Sequence, residues 1–171
     1  MKKNNKRIAI CGVITALALI FGYIEALIPI PIGIPGVKLG IANIAIIAVI
    51  YIVGDTEAII VNFLRIVLTG ILFGSFYSFM FSLVGGMLSV LLMILVKKTK
   101  KLSMVGVSII GGVSHNVGQI VAAVFLMDSV AIALYLPVLI VAGVVTGIVI
   151  GLVGQLVTKR ITVNFKVDLD N

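Results

Sequence analysis

Charge is scarce in this chain. Of its 171 residues only 11% are Asp, Glu, Lys or Arg, while 61% are hydrophobic. Soluble globular domains carry about 25% charged residues, so composition alone excludes that class. With a mean hydropathy of +1.34, the sequence reads as an integral membrane protein. Cysteine is limited to Cys11, which rules out an intrachain disulfide and leaves a small packing residue in an apolar helix. Acidic residues number six. Asp55, Asp128, Asp168 and Asp170 are scattered over loops and tail, so no Asp-Asp cluster exists to hold magnesium on a diphosphate. His115 is the only histidine. Without a second histidine, a cysteine partner or a nearby carboxylate it builds neither a zinc nor an iron site. Ser114 is its neighbour in sequence, about 100° away on a helix, and does not form a nucleophile–base pair with it. No Gly-x-x-x-x-Gly-Lys phosphate loop occurs either. The chain therefore reads as a non-enzyme, without cofactor or metal.

What is present is apolar and segmented. Runs bounded by charges or by Gly and Pro predict helices at 8–28, 37–54, 57–74, 75–96, 102–127 and 130–158, followed by a short polar tail at 159–171. At about 20 residues per span this is a single six-transmembrane-helix domain, all-α, with both termini on one side. The basic start before helix 1 resembles a signal peptide, but the apolar run is longer than such a segment needs, so it is read as a retained first helix. "PIPIGIPG" (29–36) forms a rigid outer connector, "GDTE" (54–57) a tight turn, and Pro137 a kink or interfacial turn near the start of the last helix.

Eleven of the thirteen basic residues fall on one side of that topology: Lys2, Lys3, Lys6 and Arg7; Lys97, Lys98, Lys100 and Lys101; Lys159, Arg160 and Lys166. The positive-inside rule makes that side cytoplasmic, which places both termini in the cytoplasm of a bacterial cell and the protein in its plasma membrane. The net charge of +7 is then a topology signal, and no nucleic-acid partner is implied.

Two basic residues remain, Lys38 and Arg65. Lys38, at the outer edge of helix 2, either snorkels to the headgroups or faces a ligand. Arg65, near the middle of helix 3, costs ~2.5–3.5 kcal/mol on insertion scales and so calls for a partner or a wet cavity. Glu25, in the outer part of helix 1, is the natural partner of either, as a structural ion pair or as part of a pathway. In "GGVSHNVGQI" (111–120), His115 and Gln119 share a helix face and Asn116 lies one step round. Together with Asn43 and Asn62 these residues are expected to line one polar cavity open to the outside; the competing reading is interhelical hydrogen bonding at ~0.6–2 kcal/mol each. Gly12 and Ala16, four apart on helix 1, offer a small-residue face for a partner helix or for intramolecular packing. "SLVGGM" (82–87) and "SIIGGV" (108–113) form a faint internal echo.

Four stretches in order, "PGVKLGIANI", "NFLRIVLTGILFGS", "FSLVGGMLS" and "GGVSHNVGQI", resemble the Gx transporter family, often labelled heptaprenyl diphosphate synthase component I. That family is in turn similar to substrate-binding S components of energy-coupling factor transporters. This resemblance implies an importer subunit for a small anionic or amphipathic nutrient, in contact with membrane lipids, a transmembrane coupling subunit and cytoplasmic ATPases, with Gly12 and Ala16 at the docking face. Glu25, Lys38, Asn43, Asn62, Arg65, His115, Asn116 and Gln119 would then bind substrate. The alternatives are a non-catalytic membrane component of an isoprenoid or quinone pathway and a subunit of a membrane redox complex.

Overall fold

The computed structural model describes residues 2–27 and 41–165, with side chains over 8–24, 27 and 41–161. Six α-helices follow one another: α1 Lys2–Leu27, α2 Asn43–Ile52, α3 Asp55–Phe73, α4 Phe76–Lys98, α5 Met104–Met127 and α6 Leu136–Phe165, the last entered through a 3-10 helix at Val130–Tyr135. Among the described residues, four segments are long and apolar enough to cross a membrane: α3, α4, α5, and the 3-10 helix with α6 to Ile161. The expected bundle of six spans is corrected accordingly. At 1.5 Å per residue the ten residues of α2 cover about 15 Å, half of a ~30 Å hydrocarbon core. In α1 the stretch with described side chains, Ile8–Ile24, is apolar but shorter than the four spanning segments.

Burial explains why so short a helix persists. Eight of the ten residues of α2 are buried, on every face, as expected for a helix enclosed by others. It contributes Ala45, Ile46, Val49 and Ile50 to the main core, together with Ile14 and Ala18 of α1, Val61 of α3, Val90 of α4 and Val107 of α5. Gly54, at φ +153°, reverses the chain into α3 in a region of φ that glycine occupies without strain. Ser75 and Ser103 accept hydrogen bonds from Ser78 N and Gly106 N and so cap α4 and α5. Pro137 sits in the first turn of α6, where its missing N–H costs nothing.

Glycine draws α4, α5 and α6 together. A Cβ on Gly118 would lie 2.7 Å from Gly85 Cα, one on Gly147 2.6 Å from Ile109 Cα, and one on Gly151 2.7 Å from Val105 Cα. Gly143, Gly147 and Gly151 are four residues apart, so α6 presents a side-chain-free stripe to α5. At one end of the bundle Asp55 bridges Lys97 at 3.1 Å and Lys98 at 3.5 Å. Lys97 also donates to Ile50 O at 2.6 Å, which ties the last turn of α2 to α3 and α4. This end also carries the N-terminal end of α1, whose Ile8 lines a groove with Glu57.

Candidate functional site

Because α2 starts halfway through the bundle, its first residue, Asn43, lies level with the middle of α3. There Arg65 donates from a terminal guanidinium nitrogen to Asn43 Oδ1 at 2.9 Å and from Nε to Asn62 Oδ1 at 3.0 Å. Asn62, one turn back on α3, is itself fixed by donation from Nδ2 to Gly86 O of α4 at 2.9 Å. That carbonyl is within reach because Gly86 has no side chain. Two neutral amides thus set the plane of a guanidinium in the middle of a span.

Arg65 and Asn43 line a cavity of about 20 Å³ with Gly22, Thr69, Ser78, Ser82 and His115 among its other walls; that is room for about one water molecule. A second cavity of about 10 Å³ lies nearer the basic end, between α2, α4, α5 and α6, lined by Ser108, Asn116 and Thr146 among others. Asn43 and His115 line both. His115 is 5% exposed and forms part of the partition between the two.

The expected site residues separate into three groups. Asn43, Asn62, Arg65 and His115 come together at the first cavity or behind its wall. Asn116 faces the second, where its Nδ2 donates to Leu139 O of α6 at 2.6 Å. Gln119 lines neither. It is pressed against Gly85, 2% exposed, and neither atom of its amide has a hydrogen-bond partner among the described residues. Lys38 and the side chain of Glu25 lie outside the described residues. Sequence reasoning missed Thr69, Ser78 and Ser82. The signal was there: Thr69 is one turn from Arg65, and the two serines are four apart on α4.

Gly12 and Ala16 lie elsewhere, on an open groove of about 670 Å³ between α1 and α3, lined mainly by Ile, Leu and Val side chains with Glu57 at one end.

The carboxylates do not fit a magnesium–diphosphate centre. Asp55 is engaged by Lys97 and Lys98, Asp128 terminates α5 at the opposite end, and no group of three His, Cys, Asp or Glu able to hold a metal occurs among the described residues.

Comparison with known proteins gives one family. The model described as heptaprenyl diphosphate synthase component I matches residues 14–157. No curated protein and no solved structure matches the chain. The match, with four apolar spans, identifies a multi-pass bacterial membrane protein. It also overturns the importer reading and supports the alternative, a membrane component of an isoprenoid pathway: the matching family is the one named for heptaprenyl diphosphate synthase component I and not that of the Gx or energy-coupling factor S components, and with the importer go the coupling subunit and ATPases expected as partners.

Proposed function

Since the chain belongs to the heptaprenyl diphosphate synthase component I family, we propose that it is the membrane-embedded, non-catalytic component that works beside a separate catalytic synthase, and that its intramembrane polar centre receives the diphosphate of a polyprenyl lipid. The observation that supports this is the oriented Arg65 guanidinium on the wall of a hydroxyl-lined cavity. A planar fork of N–H donors matches phosphate oxygens in pairs, and Thr69, Ser78 and Ser82 add hydroxyl donors beside it. A cavity that holds one water does not hold a diphosphate, so binding requires α1 to move away from α3 and α4, the contact being Gly22 on Thr69. Glycine leaves no side chain to displace at that contact, so the packing to be undone is the Tyr23–Phe73 ring contact beyond it.

The test is retention of a polyprenyl diphosphate by the purified protein in lipid nanodiscs, read by mass spectrometry. Arg65→Ala lowers retention about tenfold or more, the worth of a hydrogen bond to a charged group. Equal retention by a folded Arg65→Ala variant places the anion site elsewhere.

A further inference from the structure

The α1–α3 groove has a shape that the diphosphate site does not explain. The two helices meet at one level, where a Cβ on Gly22 would lie 3.4 Å from Thr69 Oγ1, and the Tyr23 and Phe73 rings meet beyond it, tilted by 45° with 4.8 Å between centroids. Toward the basic end they diverge and leave about 670 Å³ open between them. Gly12 faces this space with nothing within 4 Å of where its Cβ would be, so small residues on α1 keep the groove hollow. Its inner end is at Leu19 and Leu68. Gly22 and Thr69, which line the Arg65 cavity, come next along each helix. Groove and cavity share a wall at the crossing of α1 over α3.

We propose that the two are halves of one amphipathic site, in which the groove takes the isoprenoid chain of a prenyl diphosphate whose head occupies the Arg65 cavity. This rests on the reading of that cavity as the diphosphate receptor. The groove by itself selects nothing, because lipid tails are as apolar as the side chains that line it. Selection comes from the charged end: a cation at the closed end of an apolar trough favours a chain with a compact anionic head. A phospholipid brings two chains to a groove between two helices, and a glycerol backbone besides its phosphate to a cavity that must already open to admit a diphosphate. A prenyl diphosphate brings one chain and a small head.

The chain has no tryptophan, so Leu64→Trp introduces a lone reporter on the groove wall, at a position already 44% exposed. In phosphatidylcholine nanodiscs the probes are a prenyl diphosphate with a nitroxide on its chain, the corresponding prenyl alcohol, and phosphatidylglycerol labelled on an acyl chain. The diphosphate is expected to quench the tryptophan at about a tenfold lower concentration than either of the others, and Arg65→Ala to abolish that advantage. Gly12→Leu, which fills open space, removes quenching and leaves retention of unlabelled dimethylallyl diphosphate unchanged. Two outcomes overturn the groove alone: diphosphate retained through Arg65 without quenching, or labelled phosphatidylglycerol quenching equally well. If no prenyl diphosphate is retained at all, this inference and the receptor reading fail together. A Leu64→Cys cross-link to a second copy, persisting when prenyl diphosphate is present, assigns the groove to a dimer and overturns it as well.

Discussion

A carboxamide sealed between helices gives up its hydrogen bonds to water, at ~1–3 kcal/mol when nothing replaces them. Gln119 is in that position, with both amide atoms unmatched against Gly85. Gln119→Leu, close in volume and without polar atoms, is therefore expected to raise the midpoint of thermal unfolding in detergent, by about 1 kcal/mol of stability; a fall of that size would mean that the amide has a role in holding α4 to α5. Asn62→Leu should do the reverse. It removes both the bond to Gly86 O and the acceptor for Arg65 Nε, and stability should drop by about 2–3 kcal/mol, read from the same transition. At this scale the sequence was most legible where burial is costly. Arg65 and His115 stand out in an apolar run because their desolvation demands a reason, and both line the cavity. Thr69, Ser78 and Ser82 do not stand out, because a helical hydroxyl can satisfy itself on its own backbone, as Ser114 does on Ile110 O at 2.6 Å and Thr146 on Ala142 O at 2.9 Å. Nor does an amide announce whether it will face a ligand or a carbonyl: Asn116 spends its Nδ2 on Leu139 O.

Helix existence followed from apolar runs, but helix length did not. The run at 37–54 is continuous in sequence, yet the helix begins at Asn43, after a turn at Ile41–Ala42. Nothing in hydropathy distinguishes a lipid-facing span from a half-length helix enclosed by its neighbours, since both are apolar. What matters for α2 is that its start brings Asn43 to Arg65. Glycine spacing on α6 was a signal that the sequence reading left unused. Gly143, Gly147 and Gly151 at four-residue intervals predict close helix approach, and the contacts on Ile109 and Val105 are at backbone distance. Gly147→Leu has no room to be absorbed by a flexible neighbour, because the nearest atom is the Ile109 Cα. The expected loss exceeds the ~1–3 kcal/mol of ordinary overpacking and should show as failure to recover folded monomer by size exclusion. Gly12→Leu is the control on α1: it has open space, and recovery should match the unaltered protein.

For the molecule as a whole, charge sets direction. Lys97, Lys98, Lys100 and Lys101 cluster where α4 passes to α5, and Lys159 and Arg160 lie toward the end of α6, while Asp128 marks the opposite end of α5. Asp55 adds to the asymmetry by pairing with Lys97 and Lys98 at the basic end, where a carboxylate at the start of α3 and cations at the finish of α4 also suit the two helix dipoles. The ligand has no comparable signature in the bundle, because interior polarity is as compatible with an imported nutrient as with a lipid diphosphate; the match over 14–157 gives the family alone. The proposed function makes its own demand on orientation, because a soluble synthase must reach the groove. Basic residues in short loops are retained in the cytoplasm by the positive-inside rule, and on that expectation the wide end of the α1–α3 groove, at Ile8 and Glu57, would face the proposed cytosolic partner. With Cys11→Ser as background, Lys100→Cys in intact cells should resist a membrane-impermeant maleimide and Asp128→Cys should react. The opposite pattern would turn the groove mouth away from the cytoplasm and overturn the proposed link to a cytosolic synthase.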